Sequence, residues 1–103
     1  MKTGLIVHGA ASCQVDKSPA LPEGILELSR LFVPEILRRS GLATKLLVAV
    51  CADSDRSKTP IALMIDKEKP LWLVNMYEKH GFEVIQSEPV CIMARRPKAK
   101  DER

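Results

Sequence analysis

The most constraining feature of this sequence is a strand pattern that ends at a proline and is followed closely by a helix pattern. Residues 25–33 alternate as in a strand, with Leu26, Leu28 and Phe32 on one side. Pro34 ends the pattern because proline has no N–H group for a sheet ladder. After Gly41, apolar residues recur every three to four positions, which predicts an amphipathic helix that ends near residues 53–57.

Further elements are predicted from shorter apolar runs bounded by turn residues. These are strands over residues 5–13 (one strand or a pair), 61–65, 82–85 and 90–94, a loop over 15–24, and a helix over 71–80 that stops at Gly81. The run at 61–65 is typical of a central strand covered on both faces. A strand–helix–strand unit in the middle implies parallel neighbouring strands within a mixed sheet. The fold class is therefore α/β, with helices packed on the sheet.

Length, cysteine use and charge limit the classes of protein that fit. A chain of 103 residues is expected to form one domain over residues 1–103, with a basic tail at 98–103. Cys13, Cys51 and Cys91 are far apart and form no C-x-x-C pair, which predicts buried free thiols and no metal site. No apolar run approaches the roughly 20 residues of a membrane span, so a cytoplasmic protein without membrane contact is expected. The net charge of +3 comes in part from basic residues near the C-terminus, among which we count Arg95 and Arg96 with the tail. This charge suits an anionic ligand or nucleic acid and proves neither.

The turn before the first predicted helix has the chemistry of an anion site. Backbone N–H groups at a helix start point outward and lie at the positive end of the helix dipole. Gly41 and Ala43 leave room for phosphate oxygens to approach the backbone, and Arg38 and Arg39 add charged donors. The pattern R-x-x-G-x-A alone also describes an ordinary basic loop before a helix.

Together with a second, distant motif, the turn resembles the GNAT superfamily of acyl-CoA N-acyltransferases. Residues 38–43 match the family's coenzyme A signature, (Q/R)-x-x-G-x-(G/A), and residues 77–82 match its Y-x-K-x-G-F helix end. Two signatures in the right order are more specific than either alone. The resemblance covers roughly residues 24–97 and implies a GNAT-like fold, with a mixed central sheet and acetyl-CoA as co-substrate.

The resemblance also assigns binding residues. In this family the main chain of the strand before the turn holds the pantetheine arm of coenzyme A, and the turn and first helical residues hold its pyrophosphate. Here the implied residues are Leu31, Phe32 and Val33 for the arm, and Arg38, Arg39, Ser40, Gly41, Leu42, Ala43 and Thr44 for the pyrophosphate.

Two catalytic roles follow from the same resemblance. Tyr77 occupies the position of the general acid that protonates the leaving thiolate, and a phenol with an ordinary pKa of about 10 is still protonated at neutral pH. Glu27 occupies the position of a general base in several members. The residues themselves leave other interpretations open: a core aromatic with its hydroxyl bound to backbone for Tyr77, and a surface carboxylate paired with Arg30 or another basic residue for Glu27. Trp72 is predicted to serve packing.

Three functions remain open from the sequence. The first is an N-acetyltransferase that acts on a primary amine of a small molecule or protein. The second is a coenzyme A-binding module without catalysis that serves as a regulatory or partner subunit. The third is a nucleic-acid-binding protein, which the lack of interleaved aromatics for base stacking disfavours.

The segment before the central strand is shorter than in typical members, which carry an extra strand and two helices there. The acceptor pocket is accordingly expected to be open, to be completed by the second subunit of a homodimer, or to suit a protein or peptide substrate.

Overall fold

The computed structural model describes residues 1–34, 36, 40–65 and 71–98, which form a six-stranded sheet and two helices longer than one turn. The strands are β1 (Gly4–His8), β2 (Ala11–Lys17), β3 (Leu26–Phe32), β4 (Ile61–Ile65), β5 (Glu83–Gln86) and β6 (Cys91–Arg95), and the helices are α1 (Leu42–Ser57) and α2 (Leu71–Lys79). The sheet order is β1-β2-β3-β4-β6-β5. Only β3 and β4 run parallel, and α1 connects them. The predicted mixed α/β sheet is confirmed.

One face of the sheet carries the core. Strand register places Val15 beside Leu28, and Leu63 beside Met93, on this helix-covered face. Both helices pack here, and the buried helix residues are Leu46, Leu47, Val50, Cys51 and Ser54 of α1 and Val74 and Tyr77 of α2. Removing a leucine or valine side chain from water stabilises the fold by about 1.5–3 kcal/mol, so this single layer supplies most of the stability.

The opposite face of the sheet, here called the open face, is covered by no helix among the described residues. Leu5, Val7 and Phe32 are exposed there, and Met64 is 36% exposed. The prediction that residues 61–65 are covered on both faces is therefore wrong. Ala62 is buried on the open face because a methyl group does not rise above its neighbours, whereas the longer Met64 side chain does.

A β-bulge in β3 overturns the predicted position of Phe32. Ser12 pairs with Phe32 and Gln14 pairs with Ser29, so Arg30 and Leu31 together oppose a single residue of β2. Arg30 has a φ of 54°, the left-handed conformation that marks such an irregularity. The extra residue shifts the alternation by one position. Phe32 consequently lies on the open face, not beside the preceding leucines.

Most predicted boundaries hold. Helix α1 ends at Ser57, as expected, and Gly81 closes α2 with a φ of 90°. The loop predicted from residue 15 starts later, because β2 continues to Lys17 in its ladder with β3. All three cysteines are buried and free, as predicted. None of the helices in the described part of the chain is long and apolar enough to cross a membrane.

Candidate active site

Helix α1 starts with open backbone donors. Lys45 N donates to the Gly41 carbonyl oxygen at 3.0 Å, which is the first bond of the helix. The N–H groups of Leu42, Ala43 and Thr44 precede it and have no partner within the helix. The N-cap residue, Gly41, has no side chain with which to cap this end, and no acidic residue lies in the first turn. The positive end of the helix dipole is thus suited to an anion.

Gly41 determines the shape of this turn. Its φ of 85° lies in the left-handed region, which strains residues that carry a Cβ. Apart from its chain neighbours, no described residue has a heavy atom within 4 Å of the position where its Cβ would be. Both Ser40 and Gly41 are exposed. The predicted partners Arg38 and Arg39 lie outside the described residues.

Beside this turn, β3 and β4 separate. They pair only through Leu26 with Ile61 and Glu27 with Ala62. Beyond these pairs β4 continues along β6, while β3 stays with β2 through the bulge. Main-chain groups of the two strands therefore face a V-shaped gap inside the sheet. The separation occurs at the ends of β3 and β4, the edge at which α1 also begins.

The three residues predicted to hold the pantetheine arm lie along one side of this gap. Leu31 and Val33 pack partly against the core, and the Phe32 side chain is 54% exposed on the open face. Their predicted contacts use main-chain atoms, so the direction of each side chain does not exclude the role.

Tyr77 lies under the sheet on the helix-covered face. Its ring is 6% exposed and packs edge-on against Phe82, with centroids 5.6 Å apart. Burial raises the pKa of Tyr77 to about 12, and the nearby Cys13 thiol of β2 adds to this shift. Proximity to Cys13 places the ring on the same face of the sheet as the buried side chains of β2. The hydroxyl forms no hydrogen bond with another described residue, yet no buried side-chain polar atom of the described chain lacks a partner. Its tip therefore reaches the molecular surface.

Glu27 lies on the open face at the vertex of the gap. Its side chain is half-buried and forms no ion pair or hydrogen bond with a described residue, so the alternative pairing with Arg30 is not observed. Asp16 of β2 lies opposite it in the register. Glu27 and Tyr77 are thus on opposite faces of the sheet. Glu27 and Leu31 are four positions apart, a distance of about 13 Å along a regular strand.

Comparison with known proteins identifies the family. Residues 4–92 match the family model described as the acetyltransferase (GNAT) domain. The chain belongs to the GNAT family. No protein with a curated description matched the sequence significantly.

Solved GNAT structures share the fold at low sequence identity. The ribosomal-protein-S18-alanine N-acetyltransferase from Escherichia coli aligns with a TM-score of 0.73 and 15% identity, over 100% of this chain and 76% of that one. A GNAT acetyltransferase from Staphylococcus aureus Mu50 aligns with a TM-score of 0.68 and 19% identity, over 86% of this chain and 60% of that one. The PaiA N-acetyltransferase from Thermoplasma acidophilum, solved in complex with coenzyme A, aligns with a TM-score of 0.66 and 16% identity, over 84% of this chain and 53% of that one. This GNAT chain spans about three fifths of the first three solved neighbours, at 60%, 64% and 61% of their lengths.

Sequence reasoning missed one buried ionic group of this GNAT domain. Arg95 was grouped with the charge of the basic tail, but it is 4% exposed and ends β6. A signal was present, because Arg95 continues the alternation of Cys91 and Met93, both buried on the helix-covered face. Trp72, which was predicted to serve packing, is 64% exposed at the start of α2 and lies outside the core of the described residues.

The buried acidic groups of the GNAT core predict a loss of stability in alkali. Burial raises the pKa of Tyr77 to about 12 and that of Cys13 to about 11. The folded state therefore keeps both groups neutral while the unfolded chain ionises near pH 9–10. Stability should be complete below pH 9 and should decrease by on the order of 3 kcal/mol by pH 11. Urea denaturation at pH 8, 9.5 and 11 measures this change, and Cys13→Ala should show a smaller decrease than the parent protein. A flat profile would contradict the burial of both groups.

Proposed function

We propose that this protein transfers the acetyl group of acetyl-CoA to a primary amine of a small molecule or protein. One observation carries the proposal: the start of α1, where Gly41 has no capping side chain, and the gap where β3 and β4 stop pairing lie at the same edge of the sheet. A long ligand with an anionic diphosphate and an amide-rich arm needs both features. The helix start offers donors to the diphosphate, and the gap offers strand-like backbone to the arm.

The binding roles follow from these two features. The N–H groups of residues 42–44, with Ser40 and the open space at Gly41, would hold the pyrophosphate of acetyl-CoA. Arg38 and Arg39 would add charge from the turn. The main chain of Leu31, Phe32 and Val33 would pair with the pantetheine arm. No residue that carries negative charge lies in the first turn to oppose this binding.

Acetyl-CoA supplies an acyl group already activated as a thioester. Glu27 would accept the proton of the substrate ammonium through water, which frees the amine lone pair to form the new C–N bond. A backbone N–H of β3 in the gap would stabilise the negative charge on the acyl oxygen. Tyr77 would donate its proton to the sulfur as the C–S bond breaks. With the base on the open face and the acid on the covered face, the amine enters from one side and the thiol leaves on the other.

The open face favours a large acceptor. The part of the sheet around Glu27 has no covering helix among the described residues, whereas small molecules generally bind in concave, enclosed pockets. One solved neighbour, the S18-alanine N-acetyltransferase, has a protein acceptor by its name. We therefore favour a protein or peptide amine. Completion of the pocket by the second subunit of a homodimer remains the alternative.

The activity is tested by release of free thiol from acetyl-CoA. The protein is incubated with acetyl-CoA and a panel of peptides with free N-terminal or lysine amines, together with small amines. Amine-dependent thiol release and a mass increase of the acceptor by one acetyl group support the proposal. Coenzyme A binding by calorimetry without release from any acceptor would favour a binding module instead. Absence of binding would overturn both.

A charge change at Gly41 tests the phosphate site separately. We expect Gly41→Glu to weaken acetyl-CoA binding at least tenfold, because a carboxylate would occupy space that the diphosphate needs and repel it at short range. Gly41→Asn is the matched control, since asparagine tolerates the left-handed conformation and carries no charge. Calorimetric titration with coenzyme A measures both variants. Equal affinities for Gly41→Glu and Gly41→Asn would remove the turn from the binding site.

A further inference from the structure

We propose that Arg95 is a positioning residue, which holds the last turn of α2 and thereby keeps the Tyr77 side chain in its buried place on the helix-covered face of the sheet. This inference rests on the proposed function only where it concerns turnover. Its structural content, that one guanidinium fixes the environment of one phenol, stands by itself.

The guanidinium of Arg95 links three elements. Nε donates to the His80 carbonyl oxygen at 2.7 Å, at the C-terminal end of α2. The two terminal nitrogens donate to the carboxylate of Asp55 in α1, at 2.7 and 3.1 Å, and one also lies 3.4 Å from the Ser54 hydroxyl. Since Arg95 itself ends β6, a single side chain ties the sheet to the final turns of both helices.

The bond to His80 acts close to Tyr77. His80 N and Phe82 N both donate to the Tyr77 carbonyl oxygen, at 2.9 and 3.2 Å, so the turn held by Arg95 is the turn that carries Tyr77. The edge-on contact between Tyr77 and Phe82 adds a second link within the same turn. A displacement of the His80 carbonyl would therefore move the phenol.

The glycine at position 81 allows the Arg95 guanidinium to come close to the end of α2. A Cβ at Gly81 would lie 3.2 Å from Arg95 Nε, closer than most side chains tolerate, and the φ of 90° also favours glycine. The glycine of the helix-end motif thus makes room for the guanidinium as well as ending the helix.

The Arg95 guanidinium forms an ion pair with Asp55 and a hydrogen bond to the end of α2, and mutations can separate these two interactions. Asp55 neutralises the charge through the terminal nitrogens, whereas Nε alone reaches α2. Lysine has a single ammonium and cannot bond both partners in this geometry. Arg95→Lys should therefore release the turn of α2, while Asp55→Asn should weaken the ion pair and leave the Nε bond in place.

The decisive measurement uses the fact that Tyr77 is the only tyrosine of the chain. Phenolate absorbance near 295 nm, read by rapid mixing before alkaline unfolding, follows its ionisation alone. We expect a midpoint near pH 12 in the parent protein and in Asp55→Asn. In Arg95→Lys we expect a decrease of about one unit or more, toward the ordinary phenol value near 10. An unchanged midpoint in a folded Arg95→Lys protein would overturn the proposal. If that variant does not fold, the neutral pair Arg95→Gln with Asp55→Asn is measured instead, with the same expected decrease and the same overturning result.

Turnover supplies a second test that a merely structural role would not satisfy. Arg95→Lys should lower kcat about tenfold or more and change KM for acetyl-CoA less than twofold, because the phosphate site lies at the far end of α1. In a Tyr77→Phe background the same change should have no further effect on kcat. Full additivity of the two losses would overturn the positioning role. An inactive parent protein would contradict the proposed function alone, and the titration would still decide the placement of Tyr77.

Discussion

Asp55→Ala is expected to lower the free energy of unfolding by about 3 kcal/mol, because its loss leaves the buried Arg95 charge uncompensated. This is the lower end of the range for a broken buried ion pair, since the Asp55 side chain is itself 31% exposed. The Arg95 side chain is 4% exposed, and Asp55 accepts two of its hydrogen bonds as well as one from the backbone N–H of Lys98 at 2.8 Å. Without the carboxylate, the guanidinium must stay buried unpaired or leave the core. Urea denaturation at pH 7 measures the difference.

Asp53→Ala is the matched control for this prediction. Asp53 lies two residues earlier on the same helix and also pairs with an arginine, Arg56, at 3.2 Å. The Arg56 side chain is 73% exposed, so water replaces most of what the pair provides and the expected loss is at most about 1 kcal/mol. Equal losses for Asp53→Ala and Asp55→Ala would show that burial of Arg95 does not determine the stability.

Acid should remove the same stabilisation in the parent protein. The hydrogen bonds from Arg95 hold the pKa of Asp55 below its ordinary value. A carboxyl group whose pKa is lowered by folding contributes fully above its ordinary pKa of about 4, and the contribution is lost as the pH falls through the folded value. The difference between the parent protein and Asp55→Ala should therefore be largest near neutral pH and diminish in strong acid.

The correctly predicted parts of the fold are those that depend on short, local sequence patterns. Residues of α1 show helical periodicity, and Gly41 and Gly81 mark its start and the end of α2 with left-handed conformations that glycine adopts readily. The β3–α1–β4 order followed from these signals. The same glycines carried the family resemblance, which is why the start of α1 was located correctly before the fold was known.

The wrong predictions concern features that depend on tertiary contacts between elements distant in the sequence. The bulge at Arg30 depends on how β3 pairs with β2, and a left-handed arginine leaves no mark in the sequence. The five residues of β4 are all apolar, so the sequence shows no difference between the face that helices cover and the face that they leave open. Arg95 was misassigned because charge suggested solvent, whereas its partner Asp55 lies 40 residues away in the chain. Long-range pairing decides such positions.

In the candidate site, too, local motifs were predicted from the sequence, whereas the arrangement of residues in space was not. Gly41 and Tyr77 were found through short motifs, but the sequence could not show that Glu27 and Tyr77 lie on opposite faces of the sheet. That arrangement needed the register of β3 with β4, in which Glu27 forms the last pair before the strands separate. It converts two candidate residues into a directional hypothesis, with amine entry on one face and thiol departure on the other.

Tyr77→Phe is expected to lower kcat by about 10²–10⁴-fold, the contribution typical of a general acid, with little change in the affinity for acetyl-CoA. Phenylalanine preserves the ring that packs against Phe82, and the hydroxyl that it lacks bonds no other described residue. Stability should therefore change little, which separates the loss of turnover from a loss of fold. Steady-state kinetics with calorimetric binding measures both quantities.

A change of leaving group distinguishes proton donation from packing. Some acetyl thioesters contain a thiol that is more acidic than that of coenzyme A. Such a thiol leaves as a stable thiolate and has less need of a proton from the protein. If Tyr77 is the acid, such a donor should restore a large part of the rate in Tyr77→Phe, while the parent protein gains little. If the variant remains equally impaired with both donors, the phenol acts through packing alone, and the protonation of the thiolate must be assigned to another group or to water.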